Sequence, residues 1–125
     1  MLEGLGQYKN SNHFFYEKGS SLTELLKTVP DLPGVYYVIR LARGKVQLVY
    51  ISALTDDEPT VKLKTRLLNQ QSFFDKKIME EGIDALDIYW FVTVDEENQD
   101  LPAFVETKLS EGYVENMGEP ALWNQ

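Results

Sequence analysis

The segment PGVYYVIRLARGKVQLVYIS, residues 33–52, has the composition of two adjacent β-strands. Residues 35–41 are β-branched, aromatic or apolar at nearly every position, and residues 46–51 have the same character. The four residues between them, ARGK, are too few for anything but a hairpin. The hairpin brings Tyr36 and Tyr50 into neighbouring strands, where tyrosine is also an ordinary packing residue.

The turn decides whether the two tyrosines share a face of the sheet. A three-residue loop, with Gly44 in its left-handed position, would place Tyr36 directly opposite Tyr50. A two-residue turn would instead put them on opposite faces, because side chains alternate along a strand. The position of Gly44 favours the three-residue loop. We therefore expect both tyrosines on one face, with Cβ atoms about 5 Å apart.

The rest of the chain reads as helices and one further strand. Ser21 and Glu24 have capping-box spacing and predict a short helix that ends before Pro30. Periodicity predicts further helices over 60–71, 72–82 and 100–117, with caps at Thr60, Ser72 and Asp100. Residues 86–94 are nearly all apolar at their centre, which predicts a strand that lies in the middle of the sheet or is covered on both faces.

The same periodicity predicts which helical residues are buried: Leu63, Leu67, Leu68, Phe74, Ile78, Phe104, Val105, Leu109, Tyr113 and Met117. The stretch NHFFYEKG, residues 12–19, is either a strand or an extended arm that packs on the domain. The predicted fold class is α+β: a small three-stranded antiparallel sheet flanked by helices. We expect one domain over 1–125, with an N-terminal arm at 1–20.

Composition limits the chemistry. The chain has 125 residues, of which 43% are hydrophobic and 26% charged, as in globular proteins. It has no cysteine, which excludes disulfides and thiolate metal sites, and its single histidine, His13, excludes a site built on two histidines of one chain. No apolar run reaches the ~18 residues of a membrane span, and the N-terminus lacks the pattern of a signal peptide. We expect a cytoplasmic protein with no membrane partner.

Charge is divided unevenly along the chain. The formal net charge is −8, which opposes nonspecific affinity for nucleic acid. Residues 1–72 carry a balance of +2 and residues 73–125 a balance of −10. A candidate nucleic-acid-binding patch consists of Lys62, Lys64, Arg66, Lys76 and Lys77. The alternative is two solvated faces of opposite sign.

The hairpin motifs GVY at 34–36 and YIS at 50–52 resemble the paired GIY and YIG motifs of the GIY-YIG nuclease superfamily. A helix followed by VPDLPGVY is also similar to the start of the nuclease module in bacterial excision-repair endonucleases. Three downstream residues match the family's arginine, glutamate and asparagine: Arg66, Glu106 and Asn124. The resemblance covers residues 28–125. It departs at Ser52, where the family has glycine, and in the longer spacing between the second motif and the arginine.

The resemblance implies a metal-dependent endonuclease that acts on DNA. In such an enzyme Glu106 would hold one divalent ion, Mg²⁺ or Mn²⁺, and Arg66 would brace the phosphate. Tyr36 and Tyr50 would orient or deprotonate the attacking water, the latter only if a nearby cation lowers their pKa from about 10. Asn124 would position its neighbours through hydrogen bonds.

A second hypothesis follows from Ser52 and the acidic half of the chain. It is a catalytically weak or inactive GIY-YIG-like domain that serves as a protein- or nucleic-acid-binding module, with a protein partner that supplies affinity for DNA. In purely structural terms, Tyr36 and Tyr50 would be a packed pair, Arg66 a surface cation and Asn124 part of a frayed end.

Overall fold

The sheet has four antiparallel strands: β1 (Ser11–Tyr16), β2 (Gly34–Ala42), β3 (Lys45–Ile51) and β4 (Ala85–Val92). The computed structural model describes residues 2–53 and 61–125. The strand order is β1-β4-β2-β3, so β4 lies inside the sheet as its apolar sequence predicts. The predicted class α+β is confirmed, and the prediction of three strands is wrong.

The additional strand is β1, which begins one residue before the NHFFYEKG stretch and includes its first five residues. It pairs with β4, with Phe14 opposite Ile88 and Tyr16 opposite Leu86. Phe14 and Tyr16 are buried, whereas Phe15 between them is half exposed on the other face. The three adjacent aromatics hide this alternation, because Phe15 is as apolar as its neighbours.

The hairpin turn between β2 and β3 differs from the predicted one. Ala42 pairs with Lys45, so the loop contains only Arg43 and Gly44. Their φ angles are 53° and 74°, and positive φ at both central residues is the mark of a type I′ turn. The prediction of a left-handed Gly44 is confirmed, and that of a three-residue loop is wrong.

A shift in register nevertheless brings the two tyrosines to one face. Ile39 pairs with Leu48 but Val38 pairs with Tyr50, so β3 contains one extra residue, Val49, at this point. The extra residue reverses the alternation that a two-residue turn sets. Tyr50 lies opposite Val38, two positions from Tyr36 on the same face, and the tyrosine rings are 6.1 Å apart between centroids. The expectation of a shared face is confirmed, although the two residues are diagonal and not directly opposed.

The helices are α1 (Leu22–Leu25), α2 (Leu63–Asn69), α3 (Gln71–Glu81) and α4 (Pro102–Met117), with 3₁₀ turns at Leu26–Thr28 and Leu122–Asn124. Ser21 caps α1 as predicted, since its hydroxyl accepts a hydrogen bond from the Glu24 amide. Gly82 ends α3 in the left-handed conformation, also as predicted. Within the described ranges, no helix is long and apolar enough to cross a membrane.

Two predicted caps are wrong, and the third, Thr60, lies outside the described residues. α3 begins at Gln71 because α2 ends only two residues earlier, so Ser72 lies inside the helix and does not cap it. The residue before α4 is Leu101, not Asp100. The Asp100 carboxylate instead accepts a hydrogen bond from the Tyr8 hydroxyl at 2.8 Å, which fastens the N-terminal segment beside α4.

Helices cover both faces of the sheet. On one face the core contains α1, α2 and α3, with Leu22, Leu63 and Phe74 packed in the same cluster as Tyr36. On the other face α4 and the N-terminal segment pack against β2 and β3. Three residues predicted to be buried are exposed: Leu68, Phe104 and Met117. The first face carries Tyr36 and Tyr50, and α4 packs on the second face.

Candidate functional site

The first motif begins at a point where only glycine fits. A Cβ atom added to Gly34 would lie 2.2 Å from the Phe91 carbonyl oxygen and 2.7 Å from Leu63 Cδ1. Real side chains do not approach backbone so closely. Gly34 therefore lets α2 pack directly on the start of β2, which brings the next turn of that helix to the site.

Arg66 is a buried residue of α2, with a side chain that is 6% exposed. Its Nη1 atom donates a hydrogen bond to the Gly34 carbonyl at 2.9 Å and lies 2.7 Å from Glu106 Oε2. The guanidinium is also 5.5 Å from the centre of the Tyr36 ring. Arg66 is thus not the surface cation that its basic neighbourhood suggests.

Glu106 reaches the same point from α4, although α4 covers the opposite face of the sheet. The residue is 3% exposed. Its Oε2 atom is in contact with Arg66 and also accepts a hydrogen bond from the Ser52 hydroxyl at 2.5 Å. A buried carboxylate is costly unless it is paired and hydrogen-bonded, and both conditions hold here.

Ser52 closes this network into a ring. The residue is fully buried, and its Oγ atom accepts a hydrogen bond from the Tyr36 amide at 3.0 Å. The contacts run from the Gly34 carbonyl through Arg66, Glu106 and Ser52 back to the Tyr36 amide, two residues along β2. We call these five residues the buried ring. It joins β2, α2, α4 and the end of β3.

The phenol side chains of Tyr36 and Tyr50 lie beside the buried ring, to which Tyr36 contributes only its main chain; Tyr36 is almost fully buried and Tyr50 is half-buried. Burial raises the pKa of the Tyr36 hydroxyl far above its usual value, and Tyr50 adds to this, while Arg66 acts in the opposite direction. Burial also raises the pKa of Tyr50, again against the effect of Arg66. Without a metal ion nearby, both hydroxyls are therefore neutral at pH 7 and able to orient a water molecule by hydrogen bonding.

Asn124 is hydrogen-bonded to the last residue of β3 and is not the free end that its place in the sequence suggests. Its Oδ1 atom accepts a hydrogen bond from the Ile51 amide, and its Nδ2 atom donates one to the Ile51 carbonyl, both at 2.9 Å. β3 is an edge strand, so these groups would otherwise lack a strand partner. Asn124 thereby holds the segment between Tyr50 and Ser52 in place.

The predicted patch of cations does not form one uniform surface. Lys76 is exposed, Lys64 is half-buried, and Lys62 lies 3.9 Å from the Asp31 carboxylate. Lys77 is mostly buried, with its ammonium 5.6 Å from the ring centres of both Phe73 and Trp123. The structure therefore brings Arg66 into the buried ring and leaves the four lysines outside it.

The donor atoms near Glu106 suit a hard divalent cation. Glu106 lines a cavity of about 250 Å³, together with Thr107, Ser110 and a second carboxylate, Glu111. Carboxylate and hydroxyl oxygens are the ligand type that Mg²⁺ and Mn²⁺ prefer. No group of three or more His, Cys, Asp or Glu residues placed to hold a metal occurs within 2–53 and 61–125. The lining residues fit a divalent ion held by Glu106, with Glu111 as a second carboxylate at the same cavity.

The role of Ser52 is not evident from the sequence, where it looks like the weakest position of the second motif. The one available signal is that a hydroxyl stands where the resembled motif has no side chain.

We compared the chain with protein-family models, with curated proteins and with solved structures, and none of the three searches found a match. The functional assignment accordingly depends on these residues and their geometry.

Proposed function

We propose that this protein is a GIY-YIG-type endonuclease that hydrolyses phosphodiester bonds in DNA. The observation that carries the proposal is the convergence of Tyr36, Tyr50, Arg66 and Glu106 at one end of the sheet, from four separate elements. Stability alone does not explain this set of residues, because replacing a buried ion pair by apolar residues often leaves protein stability unchanged or raises it. Phosphoryl chemistry does call for a cation, a carboxylate and groups that orient water.

Arg66 is the group that would bind the phosphate. Its planar guanidinium matches the geometry of phosphate oxygens, and its Nη1 atom now contacts a single carboxylate oxygen of Glu106. A phosphate oxygen carries a similar charge and accepts the same hydrogen bonds. Substrate would therefore compete with Glu106 for Arg66, and the carboxylate would be released from its ion pair as the phosphate binds.

Glu106 is the group that would hold the divalent ion. A bound Mg²⁺ or Mn²⁺ would supply charge relief at the phosphate and an activated water. Glu106 lines the cavity beside α4, which places this residue at the edge of the buried ring that faces the cavity. Tyr36 and Tyr50, neutral at pH 7, would orient water by hydrogen bonding, and Asn124 would keep β3 in register with them.

A binding module without catalysis is the second candidate, and one observation favours it. Arg66 and Glu106 neutralise each other inside the protein, and the chain as a whole carries a charge of −8. If phosphate does not displace Glu106, the buried ring is purely structural. The domain would then act through its surface, with affinity for DNA supplied by a partner protein.

The deciding experiment measures cleavage of supercoiled, linear and branched DNA with Mg²⁺, Mn²⁺ or EDTA. The test variant is Glu106→Gln, because its amide oxygen can still accept the hydrogen bonds of Arg66 and Ser52, whereas Glu106→Ala would leave Arg66 buried with neither a counter-ion nor this acceptor. Glu115→Gln is the matched control, since it removes the same charge from an exposed position of α4. Unfolding curves show that each variant is folded before activity is compared.

Metal-dependent cleavage that is lost in Glu106→Gln and kept in Glu115→Gln supports the nuclease. Cleavage that survives Glu106→Gln contradicts the proposed site. If the wild type cuts none of the substrates with either metal, the nuclease is rejected in favour of the binding module.

A further inference from the structure

The direction of each hydrogen bond at Ser52 follows from its two partners. The Tyr36 amide can only donate, so Ser52 Oγ accepts from it. An ionised carboxylate can only accept, so the single hydroxyl proton of Ser52 goes to Glu106. The hydroxyl therefore accepts one hydrogen bond, from the Tyr36 amide, and donates one, to Glu106. Rotation about the Cα–Cβ bond of Ser52 would break at least one of them.

The backbone of β2 fixes this hydroxyl in the manner of a strand partner. The Ser52 amide donates to the Tyr36 carbonyl at 2.9 Å, as in an antiparallel ladder. The return bond of such a pair normally goes from the Tyr36 amide to a main-chain carbonyl, but here it goes to the Ser52 side chain. The orientation of the hydroxyl is thus set by the sheet itself. Because Ser52 is fully buried, bulk water does not compete for it.

We propose that Ser52 is a positioning residue that holds the Glu106 carboxylate in place when Arg66 turns to the phosphate. Arg66 and Ser52 contact the same oxygen, Glu106 Oε2. Loss of Arg66 to substrate leaves the Ser52 hydroxyl and its support from β2 intact. A glycine, as in the motif that this segment resembles, cannot supply this bond. The catalytic consequence rests on the proposed nuclease function, whereas the positioning itself is measurable without catalysis.

The test compares Ser52→Ala with a control that also removes one buried hydroxyl. Thr93 is as fully buried as Ser52, but its Oγ1 atom has no hydrogen-bond partner in the described part of the chain. Thr93→Val therefore reproduces the loss of a buried hydroxyl without the loss of a bond to Glu106. Ser52→Cys, which keeps the shape with a weaker donor, serves if Ser52→Ala does not fold.

The first measurement is hydrogen exchange of the Tyr36 amide in the metal-free protein. We expect faster exchange in Ser52→Ala and unchanged exchange in Thr93→Val, because only the first removes the acceptor of that amide. The second is Mn²⁺ affinity, which we expect to fall about 10-fold in Ser52→Ala, the lower end for loss of a group that orients a metal ligand. In DNA cleavage kcat should fall while KM stays the same, since Ser52 does not reach the substrate.

The outcomes separate this inference from the proposed function. If the wild type binds Mn²⁺ and cuts DNA but Ser52→Ala matches it within about twofold, Ser52 has no positioning role. Equal losses in Ser52→Ala and Thr93→Val also overturn the inference, because they indicate a general packing effect. If the wild type neither binds Mn²⁺ nor cuts DNA, the proposed function itself fails. A selective loss in Ser52→Ala, or a smaller one in Ser52→Cys, supports the inference.

Discussion

Arg66 and Glu106 depend on each other at the level of single residues. Each is a charge in a nearly water-free position, and the ion pair offsets the loss of hydration of both. Replacing one partner by an apolar residue therefore lowers the stability of the protein more than replacing both. This pair stabilises the folded state only as a unit, which limits how its function can be tested.

We predict that Glu106→Leu lowers the free energy of unfolding by about 3–5 kcal/mol, because it leaves the Arg66 charge buried without a partner. The double variant Arg66→Met/Glu106→Leu should recover most of that loss. Urea unfolding of the two single variants, the double variant and the wild type measures the coupling. As a control, Lys27→Met breaks an exposed pair with Glu24 and should change stability by less than about 1 kcal/mol. Additive effects of Arg66→Met and Glu106→Leu would contradict the prediction.

The hairpin shows how two irregularities combine at the level of the element. With the type I′ turn and no extra residue, Tyr36 and Tyr50 would lie on opposite faces of the sheet. With a three-residue loop and the extra residue Val49, they would also lie on opposite faces. Together, the type I′ turn and Val49 restore a shared face. The position of the tyrosines thus depends on both ends of the hairpin.

Arg43 is the strained position of this turn, with φ of 53°. Left-handed backbone costs an ordinary L-residue roughly 1 kcal/mol, and asparagine tolerates it better. We predict that Arg43→Asn raises the free energy of unfolding by about 0.5–1 kcal/mol, because it creates the Asn-Gly pair that type I′ turns favour. Thermal or urea unfolding measures the change. Arg43→Val, which is β-branched, should have the opposite sign, and a gain in that variant would contradict the turn assignment.

The contact of Asn124 with the edge of β3 is the second feature at this level. Asn124→Ala removes two hydrogen bonds to Ile51, and we expect a loss of about 1–3 kcal/mol in stability. Amide hydrogen exchange should become faster at Ile51. Asn116→Ala, an exposed position on α4, is the control. Unchanged exchange at Ile51 in Asn124→Ala would show that the C-terminal turn does not hold β3.

At the level of the whole molecule, the site depends on helices from both faces of the sheet. α2 packs on the face that carries Tyr36, and α4 packs on the other, yet their charged residues meet beside Gly34 and Ser52. The Tyr8 hydroxyl links the N-terminal segment to Asp100, two residues before α4 begins. Segments distant in sequence therefore contribute to the same buried ring.

Tyr8 gives a test of this packing at high pH. Burial and the hydrogen bond to Asp100 raise the pKa of Tyr8 to about 12. In the unfolded chain a tyrosine ionises near pH 10. The stabilisation that neutral Tyr8 gives to the folded state is therefore fully present below pH 10 and is lost between about pH 10 and 12. We predict that the free energy of unfolding falls over this range, by up to about 1.4 kcal/mol per pH unit for Tyr8. Urea unfolding of Tyr8→Phe should show a shallower decline, and an equally steep decline would contradict the assignment.

Local sequence was sufficient for much of the fold. β-branched and aromatic runs on either side of Gly44 predict the hairpin, and the apolar run in β4 predicts a central strand, because these signals depend on neighbouring residues alone. The end of α3 at Gly82 and the extent of α4 follow for the same reason. The motif residues could also be named from their order in the chain.

Tertiary structure decided the rest. The local sequence leaves residues 12–19 open between a strand and an extended arm, and β1 is a strand because β4 pairs with it from 70–80 residues away. Val49 shifts the register between β2 and β3, and no glycine or proline in this part of β3 indicates such a shift in the sequence. Sequence alone suggests a surface cation at Arg66, and only the meeting of α2 and α4 buries it together with Glu106. Ser52 gains its two partners in the same way, since hydrogen bonds across 16 and 54 residues exist only once the chain has folded.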